Sequence, residues 1–161
     1  MNDKELIDAI VQGAQTQTAQ VAQERNRVAA SQQALLDQRA KAKAHLPAFE
    51  SEFGKLIESI NVATAAGGIR LSVSKAPAIG DLTRVDPSTL STITVSVERG
   101  SRSTWRQTMT LKVRQGGTAE VTHQGIHTEI AKPTLDILNS PIDDFRRAVL
   151  LFFRAATQPV V

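Results

Sequence analysis

His123, His127 and Glu129 supply two imidazoles and a carboxylate within seven residues, the ligand set of a mononuclear metal site. On a helix the two histidines would share a face, but Gly125 and the flanking Thr residues point to a hairpin. With a Gln124-Gly125 turn, His123 falls on the apolar side and His127 on the outer side. The expectation is therefore a partly buried His123, a solvated His127 and no metal. Other catalytic chemistry is equally sparse. No Gly-x-Ser-x-Gly elbow occurs, Gly67-Gly68 precedes a strand, and Gly116-Gly117 sits in a hairpin, so no phosphate-binding loop is formed. The adjacent acids Asp143-Asp144 belong to the first turn of a helix, where the dipole favours negative charge. With no cysteine, thiolate catalysis, Cys-ligated metals and disulfides are excluded. We expect no catalytic residue, no cofactor and no enzymatic activity.

Basic residues offer a second kind of chemistry. Residues 69–115 hold eight Lys or Arg against three acids. Of these, Arg99, Arg102, Arg106, Lys112 and Arg114 are candidate phosphate contacts for a nucleic acid. Against that, the outer sheet face has no stacking aromatics, because Trp105 is expected to point inward. Glu98, Glu120 and Glu129 also interrupt it, and most of the rest is Ser and Thr. A solvated face, a protein-binding face and a nucleic-acid face all remain open.

These residues sit in a chain of 161 residues with a formal net charge of +3 and 41% apolar residues, enough to bury one ordinary core. The N-terminus Met1-Asn2-Asp3-Lys4-Glu5 is unlike a secretory signal. The longest apolar run, Ala148 to Phe153, is too short to span a bilayer. A cytoplasmic chain with no membrane association is expected.

From Asp3 to about Ala44 there is no Pro and a single Gly, and Ala, Gln and charged residues dominate, a composition of good helix formers. A helix of roughly 42 residues would extend about 63 Å at ~1.5 Å per residue. Its apolar residues Ile7, Ala14, Val21, Val28, Leu35 and Ala42 recur every seven positions, a row that needs a partner to cover it. The companion row three positions on, Ile10, Gln17, Glu24, Ser31, Gln38 and His45, is largely polar. Ala22, Ala29 and Leu36 widen the stripe on its other side. Packing on its own domain, pairing with a second helix and a solvated arm are the alternatives.

Pro47 is expected to end or kink this helix, dividing a helical arm at 1–46 from a globular domain at 47–161. A short second helix then buries Phe49, Phe53, Leu56, Ile57 and Ile60, and stops at Gly67-Gly68. Beyond Gly68 the period changes to two. Strands are expected at Ile69 to Lys75, Thr92 to Arg99, Thr104 to Arg114, Thr118 to His123 and Ile126 to Ala131. Matching apolar to apolar sets Val95 against Met109 and Ile93 against Leu111, with Arg99 opposite Trp105 and Glu98 beside Arg106. A three-residue loop at Gln115-Gly116-Gly117 pairs Val113 with Ala119, Leu111 with Val121 and Lys112 with Glu120. Ser140 as N-cap and Pro141 at the first helical position start a last helix that is apolar all round from Ala148 to Phe153.

The expected fold is α+β: a long N-terminal helix, a short second helix, a four- or five-stranded antiparallel meander and a C-terminal helix packed on one sheet face. The expected function is a non-catalytic adaptor, assembly or regulatory protein. It would self-associate as a homo-oligomer through the heptad row, Leu150 and Leu151, and bind a protein partner. Nucleic-acid binding through the basic patch is the alternative, and an enzyme of unknown class comes third.

Overall fold

The computed structural model describes residues 2–76, 89–99 and 106–158. The expected long loop after strand one, Arg102 and Trp105 lie outside them, and with them the Arg99 to Trp105 pairing. The chain divides into two units, residues 1–38 and residues 39–161. The fold is α+β, with a long N-terminal helix α1 (Asp3–Ala63), a five-stranded antiparallel sheet and a C-terminal helix α2 (Ile142–Thr157).

The expected elbow at Pro47 is absent, because α1 runs through it and contains the proline in its interior. The short second helix is the C-terminal part of α1. An interior proline removes one hydrogen bond and disfavours a helix by about 3 kcal/mol. Packing outweighs this. Ala42, Leu46, Phe49, Phe53, Leu56 and Ile60 follow one another at alternating steps of four and three, so one buried row continues in phase through the proline. Pro47 itself is exposed, as is Lys43, whose carbonyl loses its helical donor. We predict that Pro47→Ala stabilises residues 39–161 by about 2 kcal/mol in urea unfolding. A loss of stability would contradict this account of the proline.

The strands are β1 (Arg70–Ala76), β2 (Thr89–Glu98), β3 (Thr108–Arg114), β4 (Thr118–Gln124) and β5 (Leu135–Asp136), in that spatial order. The expected register is observed: Ile93 faces Leu111, Val95 faces Met109, Leu111 faces Val121 and Val113 faces Ala119. Gly117, at φ 99°, makes the tight connection, and its N–H donates to the Arg114 carbonyl at 2.9 Å. The fifth strand is not where it was expected. Residues 126–131 have no regular structure, and the two-residue β5 pairs with β4 through Thr118 to Asp136 and Ala119 to Leu135. Between 126 and 131 the only large apolar residues are Ile126 and Ile130, too few to build a buried face, whereas Leu135 and Ile137 are buried.

α1 and α2 cover the same sheet face. Phe49 stacks on Phe53 and meets Phe145 of α2 with ring centroids 4.8 Å apart. Below them lie Leu71, Ile93, Val95, Met109, Leu111 and Val113, essentially inaccessible. On the edge strand, Asn61 of α1 takes the place of a neighbouring strand. Its amide oxygen accepts from the Leu71 N–H at 2.8 Å and its amide nitrogen donates to the Leu71 carbonyl at 2.9 Å. Asp143 and Asp144 occupy the first turn of α2 as expected. Ser140 does not cap it: the Ser140 hydroxyl instead accepts from the Asp136 N–H at 2.9 Å, and Pro141 is the N-cap.

Candidate functional site

From Asp3 to Lys41 every residue of α1 is exposed. Several side chains within residues 2–37 bond along their own helix. Asn2 and Glu5 form a reciprocal capping pair at 2.9 Å, Glu24 binds Arg27 at 2.8 Å, and Gln33 donates to Asp37 at 2.9 Å. Its apolar side chains are left in water: Ile7 is 59% exposed, Val21 47%, Val28 46% and Leu35 55%. Ala14 is exposed as well. Ala42, the sixth member of the row, is different. It is fully buried in the core of residues 39–161 and has no surface to offer another chain.

The helix tip holds a compact apolar patch that the seven-residue count did not single out, since Leu6, Ile10 and Val11 are exposed beside Ile7. Their spacing of one, three and four residues on a helix carried the signal. Leu150 and Leu151, on α2, are 39% and 36% exposed, at the margin of that helix's buried face.

The basic candidates do not form one free cluster. Arg99 is tied to the end of α2, where its guanidinium donates to the Ala156 carbonyl and, at 2.9 Å, to Gln107 Oε1. A cation on the last carbonyls of a helix complements its dipole. Arg114 grips Glu120 through two hydrogen bonds, Nε to Oε1 at 3.1 Å and Nη2 to Oε2 at 3.0 Å. Arg106 is exposed and Lys112 half-buried on the outer sheet face.

His123 and His127 line one depression of about 780 Å³, together with Ile126, Glu129 and Lys132. Among the described residues no three His, Asp or Glu side chains converge to hold a metal ion. His123 lies flat against Phe152, with ring centroids 5.9 Å apart and planes 11° off parallel. Burial, and next to it the Lys132 charge, hold its pKa below the ordinary 6.5. The unfolded chain therefore takes up this proton first as pH falls. The contribution of neutral His123 to stability is complete above pH 6.5 and is lost below it, down to the folded-state value. Urea unfolding at about pH 7.5 and about pH 5.5 should show a stability loss that His123→Phe reduces. An equal loss in both proteins would contradict this assignment.

No described helix is long and apolar enough to cross a membrane. Comparison with protein families, with curated proteins and with solved structures finds no match to this chain.

Proposed function

We propose that the chain is a non-catalytic adaptor or assembly protein that self-associates through its N-terminal helix and binds a protein partner. One observation carries this reading: residues 3–38 form a continuous helix whose large apolar side chains are all exposed. Helices in proteins draw most of their stability from packing an apolar stripe, and exposed apolar patches mark interaction surfaces. Leu150 and Leu151 add a smaller apolar margin on α2. The outer sheet face, where Ser74, Thr94, Thr110 and Thr122 stand side by side across four strands, is the surface this reading assigns to the protein partner.

Light scattering coupled to size exclusion tests the proposal, run with and without a mixed DNA and RNA pool at low and moderate salt. A stable oligomer indifferent to nucleic acid supports it. A monomer, or a complex that forms only with nucleic acid and dissolves as salt rises, overturns it.

A further inference from the structure

Resting on that reading, we propose that the protein partner docks as an extended strand on the open edge of β1, in the groove between β1 and α1. The occupant is a segment with an apolar residue opposite Val73 and a Lys or Arg two positions away. Docked there, it continues the outer sheet face by one strand.

The backbone specifies a strand. Asn61 takes both the N–H and the C=O of Leu71, so these groups point away from β2. Val97, opposite Leu71, likewise turns its N–H to the Gln107 carbonyl at 3.0 Å on its far side. Strand geometry repeats every two residues. Val73 and Lys75 therefore present their N–H and C=O to the same open side, while Ser72 and Ser74 bond β2. Among the described residues no group pairs with them there. Donors and acceptors in line along an edge are matched by an extended backbone, which is recognition by strand addition.

The walls specify the side chains. Asn61 closes one end of the groove and the Lys75–Glu50 ion pair the other. Gly54, Ile57, Glu58 and Val73 line the space between, about 380 Å³. Val73 lies opposite fully buried Val95 yet is 36% exposed, and a Cβ at Gly54 would meet nothing within 4 Å. An apolar residue of an added strand fills this gap. Arg70 stands opposite Glu98 across β1 and β2. That leaves Glu58, exposed and with no ion-pair partner among the described residues, as the unmatched charge that a Lys or Arg answers. The β1 of a second copy is a poorer occupant, because Asn61 closes its Leu71 and Glu50 engages its Lys75.

A phage-displayed library of random dodecapeptides, selected on the full chain, tests this. Val73→Pro deletes the outward N–H and keeps the bonds to β2, and Gly54→Leu fills the gap while replacing a helical glycine by a better helix former. Selected peptides are expected to alternate apolar and polar residues and to carry Lys or Arg two positions from an apolar one. They should bind each variant about tenfold or more weakly, with the mass of the chain unchanged. Selection of no peptide, or of peptides indifferent to either variant, overturns the docking edge, and a chain that is still oligomeric leaves self-association standing. An oligomer that Gly54→Leu dissociates places a second copy on the edge and overturns the proposal. A monomeric chain that binds such peptides supports the docking edge and overturns self-association alone.

Discussion

On the proposed self-association through the arm, replacing Val21, Val28 and Leu35 together by Asp is expected to convert the chain to a monomer and to leave residues 39–161 folded. Each of the three is about half exposed on the isolated helix. Covering such a side chain contributes roughly 1.5–3 kcal/mol when burial is complete, and a buried carboxylate reverses the sign. Affinity should fall on the order of a thousandfold or more. None of the three belongs to the core, so the urea transition of residues 39–161 should not move. An oligomer of unchanged mass after this substitution removes the arm from the interface.

Phe53→Ala is the largest expected loss of stability, about 3–5 kcal/mol. Phe53 is 1% exposed and stacks on Phe49 at 5.8 Å, and Phe49 in turn packs on Phe145, so its removal opens a void where α1 meets α2. Domains of this size are stable by only about 5–15 kcal/mol, so the urea midpoint should fall sharply. A loss under about 1 kcal/mol would mean that the two helices do not pack as described. Self-association through residues 2–38 should survive, since Phe53 lies outside them.

The sheet was legible in the sequence because alternation and apolar matching leave one register open: a one-residue slip at Leu111 would turn it out of the core. The arm was legible as a helix from composition. Pro47 was not, because its local effect favours a break while the row from Ala42 through Phe49 to Ile60, which overrides it, is tertiary in origin. The fifth strand was misplaced for a related reason. Residues 126–131 have strand-forming types, but pairing to β4 goes to Leu135, whose side chain the core can bury. At Ser140 the sequence signal for a cap was present, and the turn beginning at Asp136 claimed the hydroxyl.

Site residues divide along the same line. That the heptad row shares one helix face follows from its spacing, but which of its members are exposed does not: Ile7, Val21, Val28 and Leu35 are, and Ala42 is buried by the domain around it. Arg99 and Arg114 read as a basic surface, yet Ala156 lies 57 positions from Arg99 in sequence, and no local pattern announces that contact. Glu120 was expected beside Lys112, its cross-strand neighbour, and it also holds Arg114.

Self-association of the native chain is the central claim, and sedimentation equilibrium over a wide concentration range tests it most directly. The account predicts a mass that rises with concentration toward a multiple of the 17.4 kDa chain. A mass fixed at 17.4 kDa at every concentration would contradict it.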